Sequence, residues 1–171
     1  MATDPNQILL AEQLHITEAL KSIPGRVARE VEGLSEEQLR FRPGEGEWSI
    51  KEVCGHLRDF AEINDRRLYR MATQERPLLP GYDQEQLVRE HNHQEADIRT
   101  ILAELSAHRL STVRLLSELV HANWARQGRH AETGFVSIRQ FTERMIAHEE
   151  MHLEHIRALK VQLGVPTPAP Q

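Results

Sequence analysis

The chain has 171 residues, a formal net charge of −5 and a single cysteine, Cys54. That length buries a core without staples and fits one domain, and one cysteine excludes an internal disulfide framework and suits a reducing cytosol. Arginines interleaved with acids leave no basic run for nucleic acid, no stretch approaches the roughly 18 apolar residues of a membrane span, and the polar start MATDPNQ does not read as a signal peptide.

In chain order, apolar periodicity predicts a first helix over about Pro5 to Glu32, which Pro24-Gly25 is placed to kink or break. A short helical turn capped by Ser35 follows at SEEQL, and RFRPGEGE breaks the chain. A second long helix opens at WSIKEV. Ser49 with Glu52 makes a capping box, and Trp48 with Val53 makes the hydrophobic staple around it. QERPLLPGY ends that helix. A third pattern runs from near Asp83 to near Val120 with an interruption around EHNHQ. The polar, glycine-marked ANWARQGRHAETGF then leads to a fourth long helix from about Ser137 to Leu163. No strand pattern stands out. The expectation is an all-α four-helix bundle with long inter-helix connections, one domain over residues 1–165 and a flexible tail, PTPAPQ, at 166–171.

The unusual count is ten histidines. On a wheel of about 100° per residue, the apolar face of the fourth helix centres on Ile138, Met145, Ile156 and Leu163. His152 lies about 20° from that centre, His148 about 60° and His155 about 80° on the same flank, with Glu149 also near the centre. His148 and His152 are four residues apart, so one helix face stacks both rings at a spacing that can hold one ion. His56, at the edge of the second helix's apolar face, is the candidate for a third ligand. A histidine beside an apolar face is more often a hydrogen-bonded core residue. Two neutral imidazoles near a core carry a desolvation cost that needs compensation.

The segments GLSEEQLRFRPGEGEWSIKEVCGHL and WARQGRHAETGFVSIRQFTERMIAHEEMHLEHI resemble the DinB-like superfamily of metal-binding four-helix bundles. The pattern W-S-x-x-E-V-x-x-H-L comes first, then W-x-R-x-x-x-H-x-x-x-G, then H-x-x-x-H, and the likeness spans about residues 8–163. The resemblance implies one divalent ion, such as zinc, nickel or iron, held by His56, His148 and His152. It also implies either hydrolysis of a small-molecule substrate or S-transfer with a low-molecular-weight thiol. His155 departs from the polar residue, such as Gln, that the family often places there. It is read as an exposed flank residue before an outer group or a fourth ligand.

Three neutral nitrogens leave a tetrahedral ion one open position, as in catalytic rather than structural sites. Glu149 is a candidate for orienting a ligand or acting as a base, against a plain ion-paired role. Asn64 and Arg67 follow His56 on the same side of its helix, and Arg109 matches a recurrent arginine of the family's third helix. His130 is read as a turn residue, Cys54 as packing, and Trp48 and Trp124 as loop anchors. HEEMH also matches the zinc-protease pattern H-E-x-x-H, but His155 follows too closely for its extended form. A di-iron reading, with Glu149-His152 and Glu12-His15 at E-x-x-H spacing, leaves His56 and His148 unexplained. The non-enzyme alternative is a bundle with a structural or vestigial ion. A homodimer through one helix face is compatible with the pattern, and a cytoplasmic location is expected.

Overall fold

The computed structural model describes residues 5–166, so most of the expected tail, from 167 onward, lies outside the described residues. Helix α1 spans Pro5–Val31, α2 Glu36–Arg40, α3 Ile50–Thr73, α4 Gln84–Glu90, α5 Ile98–Glu118 and α6 Ile138–Gln162. Strand β1 is Leu78–Leu79, β2 Gln127–His130 and β3 Gly134–Ser137, and a 3₁₀ turn covers His121–Ala125. The four long helices form the bundle expected from the sequence. No helix among the described residues is long and apolar enough to cross a membrane.

Several helix starts follow from local chemistry. Ser35, Ser49 and Ser137 each close a capping box with the residue three ahead, Gln38, Glu52 and Gln140. Each N-cap contributes about 1 kcal/mol and sets where its helix begins, hence which side chains face inward. Pro24 does not end α1, which continues to Val31. Ile23 and Val27 on either side are fully buried, and that burial offsets the roughly 3 kcal/mol cost of an interior proline.

Helices α1 and α3 each pack against both α5 and α6. Consecutive helices α1 and α3 therefore lie across a diagonal, as do α5 and α6. Crossing a diagonal takes chain length, which is why α2 and its linker occupy one crossing and the 3₁₀ turn with the β2–β3 hairpin occupies the other.

One expectation is sharpened and one is corrected. The third helical pattern is two helices, α4 and α5, separated at residues 91–97, where Asn92 adopts a left-handed φ of 48° and Asp97 caps α5. Strands also exist: β1 pairs parallel with β2, and β2 pairs antiparallel with β3. These strands are two to four residues long, too short for a visible alternation of apolar and polar residues. Their placement comes from tertiary partners such as Arg126, which donates to the carbonyls of Met71 at 2.9 Å and Gln74 at 2.7 Å at the end of α3.

The core has two apolar clusters. One gathers Val27, Val53, Leu57, Leu105 and Ile156; the other gathers Leu20, Leu68, Met71, Leu116 and Met145. Between them α3, α5 and α6 contribute a polar layer containing Asn64, Arg109, Thr112, Glu149 and His152, all buried.

Candidate metal centre

The capping boxes of α3 and α6 set the rotation that brings His56 to face His148 and His152 across the bundle. One ring nitrogen from each of these three residues lies within 4.8 Å of the other two, and His56 Nε2 is 2.9 Å from His148 Nε2. His152 is buried, and neither of its ring nitrogens has a partner among the described residues. An unsatisfied buried polar atom costs about 1–3 kcal/mol, so two on one ring make an expensive arrangement that a cation would relieve. A tetrahedral ion with Zn–N distances near 2.0–2.1 Å places its nitrogens about 3.4 Å apart. The closest pair, at 2.9 Å, would spread by about 0.5 Å to accept one.

Electrostatics keep the donors neutral. Burial, then the neighbouring His56, His148 and His155, pushes the His152 pKa down to about 3. Burial and then His148 take His56 down to about 4. Burial followed by the Arg109 charge lowers His148 as well. Neutral imidazole is the form that binds a metal.

Aromatic rings wall the trio. Trp48 lies 4.9 Å from His56 and stacks over His152 at 6.1 Å, while its indole N–H donates to Glu85 Oε2 at 3.1 Å. Phe60 stacks on His148 at 4.1 Å between ring centroids. A cavity of about 230 Å³, bounded by Phe60, Phe141, Met145 and His148, opens beside this face.

Glu149 sits beside the trio but outside the mutually close group, and so does His155, whose ring is 6.2 Å from that of His152. Arg109 Nε donates to Glu149 Oε1 at 2.7 Å, and Arg109 Nη2 donates to the same oxygen. Burial raises the Glu149 pKa, and the guanidinium pulls it back. Arg109 also lies 5.9 Å over the Phe60 ring, so the pair ties α5 to α6 behind the His148 wall. The carboxylates a di-iron site would need are held by guanidiniums: Glu149 by Arg109, and Glu12 by Arg139 at 2.9 Å. Cys54 is fully buried, and burial pushes its thiol up to about 12, in line with a packing role.

A second constellation escaped the reading of the sequence. Asp59 accepts from His93 Nε2 at 2.7 Å and His91 Nδ1 at 2.9 Å, and from Arg58 at 2.9 Å. The H-x-H spacing of His91 and His93 was the available signal, but it lay inside what read as an interruption. Gly55 is needed here: a Cβ at that position would stand 2.1 Å from the His93 ring. The ring contacts that Trp48, read as a loop anchor, and Phe60 make to the trio have no signal in the sequence.

A sequence model of the DinB superfamily matches residues 19–156. The chain belongs to the DinB superfamily. A protein of Oceanobacillus iheyensis named "Putative metal-dependent hydrolase" is 24% identical over 153 residues, covering 90% of this chain and 88% of that one. YfiT of Bacillus subtilis, which carries the same description, is 24% identical over 149 residues, covering 86% and 83%. The solved structure of YfiT, described as "a probable metal-dependent hydrolase with an unusual four-helix bundle topology", superposes with a TM-score of 0.85 at 22% identity. It covers 96% of this chain and 92% of its own. At that identity the superposition speaks for the fold of this DinB member.

Proposed function

We propose that this DinB-superfamily chain is a metal-dependent hydrolase of a small-molecule substrate, with one divalent ion held by His56, His148 and His152. The observation that carries the reading is the buried His152 ring, both of whose nitrogens lack a partner beside two other neutral imidazoles. The names of the relatives support the same reading. When bound, the ion supplies Lewis acidity and a water that ionises near neutral pH, because three protein ligands leave a position open.

The chain's own residues do the rest. Trp48 and Phe60 exclude bulk water from two sides of the trio. Phe60 fixes the His148 ring plane, and Arg109 holds Phe60 and Glu149 in place behind it. Glu149 is assigned to this supporting role in preference to that of a base, since Arg109 occupies Oε1. His155 flanks the site without closing it, which leaves the open position to substrate.

The all-nitrogen donor set would accept a thiolate as readily as an oxygen ligand, so S-transfer is the second reading. Zinc-, nickel- and iron-reconstituted protein should be assayed against p-nitrophenyl esters and, with a low-molecular-weight thiol, against an electrophilic aromatic chloride. Metal-dependent ester cleavage that vanishes in His152→Ala supports the hydrolase. Thiol consumption without ester cleavage moves the assignment to S-transfer. Neither activity, in protein that holds its ion, favours a structural ion.

A further inference from the structure

The cavity beside His148 has a cationic side that no ion pair neutralises among the described residues. Arg67, on α3, is only 7% exposed. Its guanidinium donates to the Asn64 side-chain carbonyl at 3.2 Å and to the Pro80 backbone carbonyl, and it lies over the Tyr82 ring at 5.4 Å. These partners are all uncharged, and among the described residues no carboxylate pairs with it. Two of the five guanidinium N–H groups are used in these bonds. A buried charge left without a counter-ion is costly, and Arg67 points to a ligand in the same way that the orphaned nitrogens of His152 do.

A second guanidinium lines the same cavity from α6. Arg144 is exposed and donates only to Thr133 Oγ1, at 3.1 Å, again with no described carboxylate as partner. His130 completes this side. Its Nδ1 accepts the Glu132 backbone N–H at 3.3 Å, which leaves the proton of the neutral ring on Nε2, free to donate. Burial first, then Arg67, lowers the His130 pKa and keeps the ring neutral. Glu132, exposed in the β2–β3 turn, attracts Arg67 and His130 at longer range but forms an ion pair with neither arginine. The apolar part of the lining is made by Phe60, Phe141 and Met145, and His148 also lines the cavity.

We infer that this cavity binds a small organic anion, with its anionic oxygens on Arg67 and Arg144, its apolar body against Phe60, Phe141 and Met145, and its reactive end toward His148. The inference rests on the reading of His148 as part of the reactive centre, and it deepens that reading by naming the substrate class. Guanidinium groups recognise the paired oxygens of a carboxylate or a phosphate ester through charge-assisted hydrogen bonds. The volume, about 230 Å³, is below the roughly 300–1,000 Å³ of pockets for drug-sized ligands, so the body must be compact, on the scale of one aromatic ring or a short aliphatic chain.

The test is calorimetric titration of benzoate, phenyl phosphate and benzyl alcohol into the full chain, once loaded with zinc and once treated with EDTA. Wild type, Arg67→Gln and Arg144→Gln are compared. The expected result is that one of the anions binds at least about 10-fold more tightly than benzyl alcohol. Arg67→Gln should weaken that anion about 10-fold, and the exposed Arg144→Gln about 3-fold, with benzyl alcohol unchanged in both. Whichever anion is favoured distinguishes carboxylate from phosphate ester. Circular dichroism checks folding, and if Arg67→Gln unfolds, the surface variant Arg144→Gln decides. The inference is overturned if no anion binds, if benzyl alcohol binds as well as the anions, or if both variants keep wild-type affinity while zinc is still held. Charge-selective binding that persists in EDTA-treated protein, alongside a chain that takes up no metal, would keep the anion site and remove the metal centre.

Discussion

The molecule builds two histidine clusters within one turn of α3, and they solve opposite problems. Around Asp59, His91 and His93 meet a carboxylate that takes a hydrogen bond from each ring, with Arg58 adding a third. Around His56, no carboxylate belongs to the group: three imidazoles face one another, and neither ring nitrogen of His152 has a hydrogen-bond partner among the described residues. The first cluster is complete as it stands and latches the α4–α5 connection onto α3. The second leaves two buried nitrogens unsatisfied, and on the proposed reading a cation completes it. Both clusters bring three potential ligand atoms within 4.8 Å of one another, and they differ in that Asp59 satisfies its imidazoles by hydrogen bonds whereas His152 is left unsatisfied.

The comparison can be broken most forcefully at Asp59. Asp59→Ala leaves two imidazoles without their acceptor, while Arg58 keeps Glu62 and Glu104, and it should cost about 3 kcal/mol in chemical denaturation, while metal uptake stays at the wild-type level. Loss of metal in that variant would mean that the two clusters work as one. Gly55→Ala drives a methyl group into the buried His93 ring and should cost about 2 kcal/mol, again without loss of metal. The opposite sign is expected at the other cluster. In metal-free protein, His152→Leu replaces an unsatisfied buried ring by an apolar one and should raise stability by about 1 kcal/mol, although it abolishes metal binding.

The gentlest probe is pH. Folded His56 and His152 have pKa values near 4 and 3, against 6.5 for an ordinary histidine. Between those limits the unfolded chain binds protons that the folded chain refuses. The metal-free protein should therefore lose stability as pH falls from about 6.5, and His152→Leu should flatten the slope. Burial alone would raise the Asp59 carboxyl, but the His93 hydrogen bond leads in holding it below its usual 3.8. The stability the latch contributes is present above that value and is lost only as pH falls below it. Melting curves of the two proteins from pH 4 to 8 check the separation.

Much of the bundle could be read from residues that act locally. Ser49 with Glu52 and Ser137 with Gln140 announce helix starts by hydrogen bonds that span three residues. His148 and His152 declared themselves because they share a helix face with Ile156 and Met145. The rest depends on partners distant in sequence. Arg109 and Glu149 are 40 residues apart and His93 and Asp59 are 34 apart, and no periodicity links them. Glu149 stood out as an acid at the centre of an apolar face, but only the folded chain shows the guanidinium that lets it stay there. The short strands were illegible for a related reason, since two to four residues cannot display a period and their pairing is decided by the diagonal crossing of α5 to α6.

The central claim is that the trio of imidazoles lies in the bundle to hold one ion. The most direct measurement is elemental analysis of untagged protein, as purified and after reconstitution with zinc, nickel or iron, for wild type, His56→Ala, His148→Ala and His152→Ala. The account predicts one tightly held ion per wild-type chain and its loss from each of the three folded variants. A wild-type chain that takes up no ion, or variants that keep one, would contradict it.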